Sequence, residues 1–286
     1  MLIQDLRVLD LTDHRGEVGP WLLARLGAEV IKIEPPGGSS ARQEPPFATE
    51  VPDGLESLQF AAYNDNKKSV ELDLESDAGR EALLRLAAGS EIIFDSGPPG
   101  YLASAGISEA DLTSANPELV YVLVTAFGAD GPRSNDPASE LSIAALGGPM
   151  SLQGVRERSP LKVSVPQAWR HAGAEAALAS LVGYARMQTT GEAQWIDVSA
   201  QAAMTWTLLN SMEAYEVQGY DFERAGSKVS LAVSIDLRRS ARDGYVINAP
   251  IGATYGPLVP WMIAEGIIDE SWGDEDWSTY DHRALS

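Results

Sequence analysis

The segment from Arg7 to Glu34, RVLDLTDHRGEVGPWLLARLGAEVIKIE, constrains the fold more than any other. An apolar run from Val8 to Leu11 is short enough for a buried strand, and a turn-forming loop, Thr12 to Pro20, follows it. Leu22, Leu23 and Leu26 then recur at helical spacing, Gly27 closes the helix, and Val30 to Ile33 form a second apolar strand. Strand, loop, helix and strand in this order make a βαβ unit, whose right-handed crossover leaves the two strands parallel. A parallel sheet needs helices on both faces, so the segment predicts an open, mostly parallel, doubly wound α/β sheet. Ligands on such sheets sit beyond the carboxyl ends of the strands, here beside Thr12 to Gly19 and Glu34 to Gly38.

The pattern repeats downstream. A Pro/Gly-rich loop, PPGGSSARQEPPF, carries Arg42, an arginine able to hold a phosphate or carboxylate and equally able to be merely solvated. NDNKKSVELDL places Lys67 and Lys68 ahead of an alternating Val70, Leu72, Leu74 strand. With Lys+Arg of 21 against Asp+Glu of 41, the chain carries a net charge of -20, so a basic pair there points to an anionic ligand. A helix ending at Gly89, a strand over Glu91 to Phe94 running into DSGPPG, a short helix over Asp111 to Asn116 and a strand over Leu119 to Val124 running into TAFGADGP complete the series. None of these junctions is a G-x-G-x-x-G or Walker loop, which argues against an ordinary dinucleotide or nucleoside triphosphate.

Ala138 to Met150 suits a packed helix end, and Pro166 to Gly173, PQAWRHAG, leads into a long small-residue helix that stops at Gly191. Gln194 to Ser199 reads as a strand and is followed by another helix. Ile235 to Ala249 then shifts to a hairpin about Asp243-Gly244, the mark of a second domain. The chain is expected to divide into a large α/β domain, residues 1–215, and the start of a smaller α+β domain, residues 216–286. Trp261, Trp272 and Trp277 of the latter read as core and interface residues. The acidic charge repels nucleic acids and anionic lipids. The absence of cysteine excludes disulfides and thiolate metal sites, and no metal site is predicted. No apolar run reaches membrane-span length and no signal-peptide series opens the chain, so a cytoplasmic protein with neither nucleic-acid nor membrane partners is expected.

In order, VLDLT…GP…LARLGAEVIKIE, NDNKKSVELDL, the PPG loop, NPELVYVLVTAFGADGP, GEAQWIDVSAQAAM and RDGYVINA resemble the family III CoA-transferases, the CaiB/BaiF type, a family that includes the α-methylacyl-CoA racemases. The resemblance spans essentially the whole chain. It implies a large α/β domain with a smaller one and an interlocked dimer. Acyl-CoA and a carboxylic acid would be the substrates, and coenzyme A would be a substrate rather than a permanently bound cofactor. It assigns CoA contacts to Arg42, Lys67 and Lys68 and to the loop positions Ser96, Gly100 and Gly128. Ser96 and Ser104 are smaller than the polar groups that usually meet CoA there. Members of the family usually continue beyond the small domain, so the chain reads as a fragment or as one completed by another subunit.

The family's chemistry implies an aspartate that attacks the acyl-CoA carbonyl, four residues before the glycine opening the small-residue helix. Here that glycine is Gly173 and the position is Trp169, whose indole is neither nucleophile nor base. The racemase histidine falls near Ser139, with Glu140 beside it as a displaced acid/base or a surface carboxylate. His171 is either a general base or a packing residue at a helix start, and Glu175, four residues on, shares its helical face. Three readings follow. The chain is a transferase subunit, in a homodimer or with a related chain that carries the aspartate. Alternatively, it is a non-catalytic CoA-binding scaffold, or a CoA-thioester hydratase or isomerase using His171 and Glu175. Trp169 is expected to fill the acyl side of the pocket.

Overall fold

The computed structural model describes residues 3–49, 56–226, 228–230, 234–236, 238–247 and 255–277. By its internal contacts the chain separates into two compact units, one of Met1–Ser151 with Leu161–Phe222, the other of Leu152–Pro160 with Glu223–Ser286. The segment 152–160 thus joins the second unit, a return that no local pattern announces.

The first unit is built on six parallel strands, β1 (Arg7–Leu11), β2 (Glu29–Glu34), β3 (Lys67–Glu71), β4 (Ile92–Asp95), β5 (Val120–Thr125) and β6 (Gln194–Ser199), in the order β3-β2-β1-β4-β5-β6. This is the expected doubly wound sheet, and its order reverses between β1 and β4. Successive residues of each strand serve opposite faces. Val8, Val30, Ile92, Phe94, Val120 and Val122 pack under the helices of one face, and Leu9, Ile33, Ile93 and Leu119 under those of the other. Both faces are therefore apolar, which is why the strands read as continuous apolar runs.

The first face is covered by α1 (Val18–Leu26), α7 (Ala168–Thr190) and α8 (Ala200–Trp206), the second by α3 (Asp77–Ala87), α4 (Tyr101–Ser104) and α5 (Glu109–Ala115). Three further helices, α2 (Leu58–Asn64), α6 (Glu140–Leu146) and α9 (Leu209–Gln218), complete the unit. Gly27 ends α1 in the left-handed region at φ 113°, returning its N–H to the carbonyls of Leu23 and Ala24. The long helix begins at Ala168, so PQAWRHAG mostly lies inside it rather than before it. Likewise Lys67 and Lys68 open β3 instead of preceding it.

In the second unit, β9 (Arg238–Ala241) and β10 (Gly244–Ile247) pair antiparallel, with Ala241 opposite Gly244. The hairpin turns on Arg242-Asp243, one residue earlier than expected, and residues 248 and 249 of the expected hairpin lie outside the described residues. Two other strands, β7 (Lys228–Ser230) and β8 (Ser234–Asp236), also pair antiparallel, and α10 (Tyr255–Ala264) follows. Trp261 and Trp272 are exposed, not core residues; Trp277 stacks on Trp272 with ring centroids 5.4 Å apart.

Candidate functional site

Where the strand order reverses, the β1 and β4 loops are tied directly to each other. Ser96 Oγ accepts from the Asp13 N–H at 2.9 Å and donates to Asp13 Oδ1 at 3.1 Å. The Asp13 carboxylate in turn holds Arg15. Just beyond this junction opens a cleft of about 480 Å³, lined among others by Asp13, Glu17, Tyr63, Glu140, Trp169 and Arg170.

Close helix packing brings these residues together. The first turn of α1 lies against α7 with almost no gap: a Cβ on Gly173 would sit 2.7 Å from Val18 Cβ, and one on Gly19 would sit 3.1 Å from the Gly173 carbonyl oxygen. Glycine at both positions lets the backbones meet, and one helical turn before Gly173 stands Trp169. Trp169 is only 8% exposed and lines the cleft.

Glu140 shapes the other wall. The first residues of α7 have no side-chain cap of their own, and Glu140 Oε1 accepts from the N–H groups of Gln167 and Ala168, the latter at 2.8 Å. A carboxylate there complements the positive end of the helix. Its Oε2 is buried with no hydrogen-bond partner among the described residues. Arg170 lies over the Tyr63 ring, 5.4 Å from its centroid, and pairs with no carboxylate among the described residues. It is the cleft's available cation, while Arg15 is taken by Asp13, and His14 lies 3.4 Å from Glu44.

Behind the cleft lies a buried polar network. Asp10 Oδ2 receives Lys67 Nζ at 2.8 Å and Lys32 Nζ at 3.4 Å, while its Oδ1 accepts from the Thr12 N–H and hydroxyl. Burial alone would raise the Asp10 carboxyl, but Lys32, Lys67 and these hydrogen bonds overcome it and hold it at about 2. Lys67 also donates to the Glu17 carbonyl oxygen and to Asn64 Oδ1, and Asn64 Nδ2 donates to Glu17 Oε2 at 2.9 Å. Glu17 itself is 1% exposed, and its Oε1 has no hydrogen-bond partner among the described residues. Burial pushes its carboxyl above the usual range, against the opposing pull of Asn64, Lys32 and Lys67. Sequence reasoning placed the ligand loop over Thr12 to Gly19 but passed over Glu17. The available signal was an acid set directly before the apolar VGPWLL run, at a helix start.

The expected site residues fall into separate places. Glu140 and Trp169 share the cleft. His171 is exposed and Glu175 half-buried; neither lines the cleft, and no hydrogen bond or ion pair joins them among the described residues. Lys67 turns inward to Asp10, because its place two rows from Lys32 sets both side chains on one face of the sheet. Lys68 points to the other face, where it pairs with Glu29 at the amino end of β2. Arg42 grips Glu34 through two hydrogen bonds of 2.7 Å, and Ser69 and the Ser39 N–H complete that carboxylate's shell. Burial would raise Glu34, but these partners hold it at about 2. Gly100 starts α4 at φ 79°, and Gly128 donates its N–H to Thr125 Oγ1. A second cleft of about 560 Å³ opens at the ends of β1, β2 and β3, bordered by Glu34, Asp73, Glu75, Tyr101 and Ser104.

Among the described residues no group of histidines and carboxylates is arranged to hold a metal, and no helix is long and apolar enough to cross a membrane. Residues 3–265 match the model of the family described as CoA-transferase family III. A curated relative, the succinyl-CoA:(R)-benzylsuccinate CoA-transferase subunit BbsE of Thauera aromatica, is 35% identical across 97% of this chain and 68% of its own length. The succinyl-CoA:mesaconate CoA-transferase of Haloarcula hispanica is 30% identical over 86% of this chain and 63% of its own. The chain thus spans about two thirds of the length of these relatives. Among solved structures, a CAIB/BAIF family protein from Brucella suis superposes with a TM-score of 0.79 at 27% identity, covering 98% of this chain and 79% of that one.

Proposed function

Because the chain belongs to CoA-transferase family III, we propose that it is an acyl-CoA-handling subunit of a CoA-transferase, one whose carboxylate nucleophile comes from a second, related chain. The observation that carries this reading is Trp169: a buried indole lines the cleft at the position where the resemblance expects the nucleophilic aspartate. An indole offers no lone pair for attack on a thioester and no proton acceptor, so a transfer through an acyl-enzyme anhydride needs a carboxylate from elsewhere. Arg170, a cation without a carboxylate partner among the described residues, suits the carboxylate of an acid substrate. The BbsE relative is itself named as a subunit.

Assembly with another chain, in the interlocked manner of the family, is part of the same proposal, as is a cytoplasmic location. It is supported by apolar surface on the first unit. Leu178 and Val182 are each 62% exposed on α7, and α9 buries none of its residues. The hydratase or isomerase alternative loses its acid/base pair, since His171 and Glu175 lie off the cleft. The scaffold alternative differs from the transferase subunit only in whether a partner restores turnover.

Calorimetry of the purified chain with acetyl-CoA, followed by intact-mass spectrometry, tests the reading. Binding without a covalent adduct is expected. A covalent acyl or CoA adduct on this chain alone would overturn the borrowed nucleophile, and no binding would overturn CoA recognition by the isolated chain.

A further inference from the structure

Arg170 reaches the cleft from the first turn of α7, and in a chain of 41 acidic and 21 basic residues it meets no carboxylate among the described residues. The acids around it are taken: Asp13 by Arg15, Glu140 by the α7 amides, Glu17 by Asn64, while Glu44 faces His14. What holds Arg170 is aromatic. Its guanidinium lies over Tyr63 of α2, 5.4 Å from the ring centroid, and Tyr63 meets Trp21 of α1 edge to face at 87°, with centroids 5.4 Å apart. Trp21 Nε1 donates to Asp65 Oδ1 at the end of α2, and Asp65 Oδ2 pairs at 2.9 Å with Arg25, which itself lies 5.7 Å from the Trp21 ring. Three helices thus build one ladder of cations and rings. Asp65 neutralises its outer cation, Arg25, and no carboxylate neutralises its inner one. The Nε of Arg170 is buried with no hydrogen-bond partner among the described residues, so the terminal nitrogens are the ones the cleft can offer to a ligand.

We propose that Arg170 is a preformed anchor for the carboxylate of the acid substrate, and that Tyr63, braced by Trp21 and Asp65, is the positioning residue that keeps it aimed into the cleft. This rests on the reading of the chain as a transferase subunit. An arginine free to rotate loses rotamer entropy when it grips a ligand, whereas a guanidinium already laid on a ring has lost much of it beforehand. Contact through the ring face leaves the N–H groups, which lie in the guanidinium plane, open to a planar two-point contact with a carboxylate. The brace acts through the face of the Tyr63 ring, not through its hydroxyl, which makes no hydrogen bond to Arg170.

The test follows the Arg170 Nε–H signal of the isotope-labelled full chain by NMR, assigned by its loss in Arg170→Gln, during titration with sodium acetate and, at equal ionic strength, with sodium chloride. Acetate should give a saturable shift that chloride does not. Affinity should fall about fivefold in Tyr63→Leu and stay within about twofold of the parent in Tyr63→Phe, which keeps the ring and drops the hydroxyl. No saturable shift with acetate, or the same shift with both salts, would overturn the anchor. Equal affinity in Tyr63→Leu and the parent, or equal losses in Tyr63→Leu and Tyr63→Phe, would overturn the positioning role. Should Tyr63→Leu fail to fold, the ring current decides: an Arg170 signal displaced from that of a solvated arginine in both the parent and Tyr63→Phe upholds the brace, and an undisplaced one overturns it. Acetate binding without any acetyl-CoA binding by calorimetry would uphold the anchor and overturn the CoA reading alone.

Discussion

Asp10 accepts hydrogen bonds from two lysines and a threonine, and its side chain and those of Lys32 and Lys67 are all at most 1% exposed. Replacing it by asparagine keeps the volume but leaves two ammonium groups facing an amide in a dry interior. Asp10→Asn should therefore cost about 3–5 kcal/mol, read as a lower urea midpoint at unchanged slope. Lys68→Gln, which breaks only the exposed pair with Glu29, should cost less than about 1 kcal/mol. A midpoint for Asp10→Asn no lower than that of Lys68→Gln would count against a buried ionic core. The same residues show where sequence reading stops. Lys67 and Lys68 look alike in NDNKKSVELDL, and only the pairing of β3 with β2 decides that one joins a buried network and the other meets solvent. Trp169 was readable as a missing nucleophile because it holds a motif position. Glu17 was not, since its significance lies in the absence of a partner for one oxygen.

At the scale of elements, the cleft depends on how α1 meets α7. A valine at Gly173 would drive its Cβ and methyl groups into Val18 and the backbone of Gly19, where 2.7 Å is already too short for a single carbon. Gly173→Val should destabilise the chain by at least about 1–3 kcal/mol through overpacking. Ala174→Val, one residue on and exposed, should show only the loss of helix propensity, about 0.6 kcal/mol. Parallel urea titrations of the two variants separate packing from propensity, and similar shifts for both would show that the helices do not rely on this contact. The strands β1, β2, β4 and β5 were legible because each is an apolar run closed by glycine or a turn, and β6 because Gln194 to Ser199 alternates. By contrast, the helical first turns of α7 were hidden by Pro166 and the polar Gln167, Arg170 and His171, which imitate a loop. Glu140, 28 residues before Ala168, supplies the cap that makes this start stable, and a partner so distant in sequence leaves no local signal.

For the whole molecule, opposing electrostatic terms set the response to pH. At pH 7 the 41 acidic residues against 21 basic ones leave a net charge of -20, whose self-repulsion disfavours the compact state. Glu17 adds to this, because a carboxyl whose folded value is raised above its unfolded value loses stability as pH rises through the folded value. Lowering the pH from 7 toward the isoelectric point near 4.4 removes both costs. Asp10 and Glu34 act in the opposite sense. Both are depressed to about 2 from ordinary values of 3.8 and 4.5, so their stabilisation is complete above the unfolded values and is lost as pH falls toward 2. The depression at Asp10 is worth on the order of 2 kcal/mol, and that at Glu34 is discounted by the partial exposure of its partner Arg42. The melting temperature should therefore rise from pH 7 to about 5 and fall steeply below about 4, giving a maximum on the acidic side of neutrality. Added salt at pH 7 should raise it by screening the surface charge, while leaving the acid limb largely in place, since the buried Asp10 cluster is poorly screened. Circular dichroism melts from pH 2 to 8 at two salt concentrations would check this. A melting temperature that climbs steadily to pH 8, insensitive to salt, would mean that the buried carboxylates outweigh surface repulsion across the whole range.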